Sequence, residues 1–133
     1  MSGSVQPPEG GTVELHHRVQ MGLLRAVEHQ LVCEADPAEA AESVARLLEF
    51  TQVHFRAEEL LMLHHRYPGL EAHAAEHVHL MGEALAVSQA HGAGDLPQAR
   101  ETVARLRSWI AEHIEGADAA FDRWCARNGI TLE

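Results

Sequence analysis

A chain of 133 residues with a net charge of −10 and a pI of about 5.5 is poorly suited to nucleic acid or an anionic membrane surface. Its length fits one domain with a single core, and no apolar run approaches the roughly 20 residues of a membrane span. Cys33 and Cys125 are too few and too far apart for a disulfide framework, and they read as two reduced thiols in a cytoplasmic protein.

The opening stretch, MSGSVQPPEGGT, has no basic segment followed by an apolar one. Residues 1–12 therefore read as a flexible arm and not as a secretory leader. Thr12 is the expected cap of a first helix whose apolar stripe, Val13, Leu24, Val27 and Leu31, runs to about Cys33. EADPAEA then supplies a stop and a restart, with Asp36 as cap and Pro37 at the first helical position. The second helix continues to about His65, where RYPGL breaks it, and a third follows from about Leu70 to Ala90. In HGAGDLP, Gly92 and Gly94 end the third helix, while Asp95 and Pro97 start a fourth that runs from Leu96 to about Arg127. NGITLE is a short tail, and β-branched residues nowhere alternate with polar ones as a strand would require. The predicted fold is all-α: over residues 13–133, an antiparallel up-down-up-down four-helix bundle joined by short loops.

Histidine is the unusual residue of this composition, with eleven copies against six of Phe, Trp and Tyr together. His54 and Glu58 are four residues apart late in the second helix, and His73 and His77 four apart early in the third. Four residues is just over one helical turn, so each pair shares a face. A single such pair is more often a solvated face than a ligand pair. The bundle changes that weighting, because both pairs lie towards the end carrying RYPGL. Counting outward from Ala35, His17 is 18 residues back and His54 is 19 forward, so the two oppose each other, while Gln20 falls about a turn lower. His113 and His73 each lie 20 residues from Ala93. All four helices thus bring imidazoles to one level, with Glu58 and an acid near Asp118. Five imidazoles and two carboxylates buried without a cation would be poorly satisfied. They are too many for one tetrahedral zinc and suit two iron ions with a position left open.

HFRAEELLM, then YPGLEAHAAEH, then WIAEHIEGAD resemble the hemerythrin family, specifically its single-domain bacterial members, over about Val13 to Phe121. The family pattern of His-Phe-x-x-Glu-Glu, a Tyr-Pro turn, His-x-x-x-His and His-Ile-x-x-x-Asp is met throughout. The resemblance implies that His73, His77 and His113 bind one iron and that His54 and a first-helix histidine bind the other. It also implies that Glu58 and Asp118 bridge the two beside an oxo or hydroxo group, with one position open to dioxygen. Asp118 rests on the resemblance alone. Five residues from His113 is about 140° around an ideal α-helix, and Asp122 competes for the role.

The first helix departs from the family's apolar-Asp-x-x-His-x-x-Leu-Phe. VELHHRVQM offers His17, with Glu14 at the acid position and Gln20 and Met21 in place of Leu and Phe; His16 and Gln20 remain the alternatives. His29, His64, His65, His79 and His91 read as surface or boundary residues, Glu59 as a solvated partner of an arginine or a helix-face charge, and Met62 and Leu63 as core. Phe55, Trp109 and Ile114 fit either an oxygen pocket or core packing.

The expected function is reversible dioxygen binding, for storage, delivery or sensing, by a protein that is not an enzyme. The alternative is a ferritin-like di-iron oxidase, peroxidase or nitric-oxide-handling enzyme, which Glu14 with His17 and Glu76 with His79 would serve. No protein partner is legible.

Overall fold

The computed structural model describes residues 11–132, with side chains from Glu14 onward. Its elements are α1 (Gly11–Val32), α2 (Pro37–His64), α3 (Leu70–Gly92), α4 (Leu96–His113), a π-helical turn (Ile114–Asp118) and α5 (Ala119–Arg127). Each helix packs on its neighbours in the order α1–α2–α3–α4 and α4 returns to α1, which is the up-down-up-down bundle. No strand occurs among the described residues, and no helix among them is long and apolar enough to cross a membrane. Gly11 and Thr12, expected in the arm and at the cap, are helical. Residues 1–10 of the expected arm lie outside the described residues.

The punctuation works by different means at each break. Pro37 opens α2, where its missing N–H costs no helical bond, but the Asp36 side chain makes no capping bond there. Asp95 does cap, its Oδ1 accepting the Gln98 N–H at 3.1 Å. The RYPGL turn is tight. Arg66 takes a left-handed φ of 59°, and a Cβ on Gly69 would stand 2.8 Å from the Tyr67 ring, so only glycine fits beneath that ring.

Two apolar clusters divide the interior. The larger holds Leu24, Val27, Leu31, Leu47, Phe55, Val87, Leu106 and Ile110. The smaller, at the RYPGL end, joins Met62, Phe121 and Cys125, with Tyr67 and Trp124 packed against it. Between Leu47 and Met62 on α2 stand the buried His54 and Glu58, and between Ile110 and Phe121 on the fourth arm of the bundle stand the buried His113 and Asp118. A polar layer closed by apolar packing on both sides is the feature this fold builds. Leu63, expected in the core, is 61% exposed, because it stands one residue round from Met62 on the outer face of α2.

Candidate metal centre

The structure brings all seven candidate residues together. His17 comes from α1, His54 and Glu58 from α2, His73 and His77 from α3, His113 from the last turn of α4 and Asp118 from the end of the π turn. Six of them are at most 4% exposed. The His17 side chain, at 15%, faces a groove between α1 and α4 lined by Arg18, Met21, Arg25 and Ile114.

Their donor atoms form two groups that share both carboxylates: Glu58, His73, His77, His113 and Asp118 in one, His17, His54, Glu58 and Asp118 in the other. Each carboxylate spans the two. Glu58 Oε1 lies 2.8 Å from His73 Nε2 and 3.1 Å from His77 Nε2, while its Oε2 faces His17 Nε2 at 3.9 Å. Asp118 Oδ1 lies 2.9 Å from His73 Nε2 and 3.0 Å from His113 Nε2, while its Oδ2 lies 2.9 Å from His17 Nε2. Two donors at right angles on one cation, each at roughly 2.1 Å, stand roughly 3 Å apart. The distances within the first group match that spacing.

Bond directions argue further for a cation. Both Asp118 oxygens, His17 Nε2 and His54 Nε2 are buried and make no hydrogen bond, although several partners are within reach. The lone pairs converge on the space between the side chains and are not aimed at one another. His77 and His113 show why protons do not fill that space in neutral rings. The His77 Nδ1–H donates to Glu59 Oε2 at 2.6 Å, and the His113 Nδ1–H donates to Glu76 Oε1 at 2.7 Å. Both Nε2 atoms then carry lone pairs, and they face each other at 3.1 Å beside two carboxylates. Buried acceptors so arranged need a cation, supplied by a metal or by extra protons. The residues present fit a metal.

The family model of the hemerythrin HHE cation binding domain matches residues 11–124. The chain belongs to the hemerythrin family. It is 28% identical to a bacteriohemerythrin of Ralstonia nicotianae over 98 residues, 74% of this chain and 72% of that one. It is 26% identical to a bacteriohemerythrin of Methylococcus capsulatus over 93 residues, 70% of this chain and 71% of that one. No solved structure gives a significant match.

Against the hemerythrin pattern, the doubtful first-helix position now has a geometry. His17 reaches both carboxylates, whereas Gln20 sits lower in the bundle and bonds Thr51 Oγ1 at 3.3 Å. His16 stands behind His54, the two Nδ1 atoms 3.2 Å apart. The five-residue step to Asp118, which an α-helix would not allow, is taken by the π turn. Its hydrogen bonds run from residue i to i+5, so residues five apart stand one above the other and Asp118 returns to the face of His113. Asp122 is exposed. His29, His64 and His79 are exposed and His65 and His91 half-buried, as surface or boundary residues should be. Phe55 is core and also a wall of the site, its ring stacked on His77 with centroids 3.8 Å apart. Trp109 packs at the edge of the core and against His79, outside the polar layer.

Two residues were missed. Glu59 is neither an arginine's partner nor a free surface charge, since it accepts from His77, and Glu76 accepts from His113. The available signal was their place in the chain, each directly beside an inward-facing candidate ligand.

With no metal in place, protons take the cation's role. Burial opposes charge on His17 and His73, but the nearby Asp118 and Glu58 carboxylates outweigh it and push each imidazole up to about 9. Burial likewise opposes charge on His113, and the adjacent Asp118 and Glu76 carboxylates still raise it. Burial would raise Glu58, yet the imidazoles of His17, His73 and His77 facing it hold it down at about 2; Asp118 is held below the usual carboxylate range by His113, His17 and His73. Burial dominates only at His54, which falls to about 4.

The stability of metal-free protein follows by linkage. The raised imidazoles stabilise it fully below 6.5, and that contribution is lost as pH climbs to about 9. His54 resists protonation in the fold, so stability is also lost as pH drops from 6.5 towards about 4. Melting followed by circular dichroism should therefore peak near pH 6.5 in the metal-free chain. Metal loading, which requires neutral imidazoles, should abolish the alkaline fall. An identical alkaline fall with and without metal would contradict this account.

Proposed function

We propose that this chain holds two iron ions and binds dioxygen reversibly. His73, His77 and His113 would hold one ion, His17 and His54 the other, and Glu58 and Asp118 would join the two. The observation that carries the reading is the double reach of Glu58 and Asp118, each giving one oxygen to either donor group. Membership of the hemerythrin family and likeness to two bacteriohemerythrins support the same reading.

A bound iron pair supplies the electrons and the open position that reversible dioxygen binding needs. The protein does the rest. Five neutral imidazoles and two carboxylates make a donor set dominated by nitrogen, which suits iron and leaves the site with little excess negative charge. Phe55 against His77, with Met62 and Phe121 above the polar layer, keeps bulk water from the donor atoms. Glu59 and Glu76 keep the His77 and His113 protons on Nδ1, so that Nε2 offers its lone pair inward.

The ferritin-like oxidase or peroxidase reading has less support. Glu14 is exposed and pairs with Arg18, and His79 is exposed beside Trp109, so both motifs behind that reading have a member outside the polar layer.

The test is the visible spectrum of chain reconstituted with iron(II) without air. Admitting oxygen should raise a charge-transfer band that disappears when oxygen is removed, at two irons per chain. A colourless protein, or one that consumes oxygen continuously without holding it, would count against reversible binding.

A further inference from the structure

The three hydrogen bonds behind the candidate ligands follow one rule. His16 precedes His17 on α1 and backs His54 on α2. Glu59 follows Glu58 on α2 and backs His77 on α3, while Glu76 precedes His77 on α3 and backs His113 on α4. In every case the backing residue lies one step nearer the RYPGL end than an inward-facing residue of its own helix. All the helices are right-handed, so a step towards that end turns the side chain the same way whichever way the chain runs. About 100° of turn swings it from the interior to the seam with the next helix. The supports therefore pass in one sense around the bundle, from α1 to α2, α2 to α3 and α3 to α4.

Their chemistry is unequal. Two supports are carboxylates, and both serve the group formed by His73, His77 and His113. The support of His54 is an imidazole, not a carboxylate. At the fourth step, beside His113, stands Ile114, which offers no acceptor to the neighbouring His17 across their shared groove. A carboxylate behind an imidazole fixes its tautomer and makes the other nitrogen a stronger donor. One group is thus backed twice by negative charge and the other not at all.

We propose that Glu59 and Glu76 are positioning residues that make the His73–His77–His113 half the tight, first-filled iron position and leave the His17–His54 half to fill second and more weakly. This rests on the di-iron reading above.

The test is anaerobic titration of the metal-free 133-residue chain with iron(II) against a competing chelator. Two separate steps are expected, one ion in each. Glu59→Gln and Glu76→Gln keep the shape and remove the charge. Each should weaken the first step by about 10- to 100-fold and change the second far less. Both residues are part-exposed and a glutamine oxygen can still accept the Nδ1–H, so the metal-free variants should stay folded, as circular dichroism would show. The midpoint potential of loaded Glu59→Gln should also rise, because a carboxylate behind His77 favours the more positive metal, and a merely structural role would not move it. Two irons per chain with unchanged stepwise affinities in both variants, or equal weakening of both steps, would overturn the proposal. Fewer than two irons in the unmutated chain would overturn the di-iron reading itself, and this proposal with it.

Discussion

Asp118→Ala should leave the chain unable to hold either iron, whereas His54→Ala should still hold one. The contrast follows from reach. Asp118 serves His73 and His113 through Oδ1 and His17 through Oδ2, so its loss opens both donor groups at once. His54 belongs to one group only, and the five donors of the other remain. Asp118 also matters before any metal arrives, since it is the counter-charge of three buried imidazoles. Breaking such a buried arrangement by removing one partner costs about 3–5 kcal/mol, and imidazoles able to shed their protons place this case towards the lower end. Denaturant unfolding of the metal-free variants would read that cost, and iron analysis after anaerobic reconstitution would read the loading. Two irons retained by Asp118→Ala would remove the bridging role assigned to it.

What the sequence reveals of this arrangement is its vertical order. Proline, glycine and aspartate mark the three turns, and counting from those turns sets His17 opposite His54 and Gln20 a level below, where it meets Thr51. Height needs only the rise per residue, which varies little. Rotation about the helix axis is harder, because it depends on the helix type and on single-residue offsets. That is why Leu63 was misplaced beside Met62, why Glu59 read as a helix-face charge, and why Glu76 entered only with His79 in the ferritin-like alternative. Both carboxylates are partly exposed, and their function lies in a bond to a ligand on the next helix, which no periodicity within one helix can display. Asp118 is the same problem in its sharpest form, because its angle is set by a local change from α to π.

That change yields a test on the backbone itself. Buried positions step by three or four residues, with Thr102 and Val103 adjacent, from Ala99 through Leu106 and Ile110 to His113, and again from Asp118 through Phe121 to Cys125. Only His113 to Asp118 is a step of five, and the π turn absorbs the extra residue. Deleting Gly116 should turn this segment into plain α-helix, with the aspartate four residues after His113 and on the same face. Gly116 is exposed and a Cβ there would meet nothing, so its removal sacrifices no packing and drops a residue that disfavours helix by about 1 kcal/mol relative to alanine. The shortened chain should load two irons and melt no lower than the original. Deleting Ala111 instead gives a helix of the same length. Asp118 and α5 recover their register, now seven residues beyond Ile110, but His113 is left two residues after Ile110, about 200° around the axis and out of the site. That chain should hold at most one iron. Equal loading by the two deletion variants would mean that the π turn does not set the angle between His113 and Asp118.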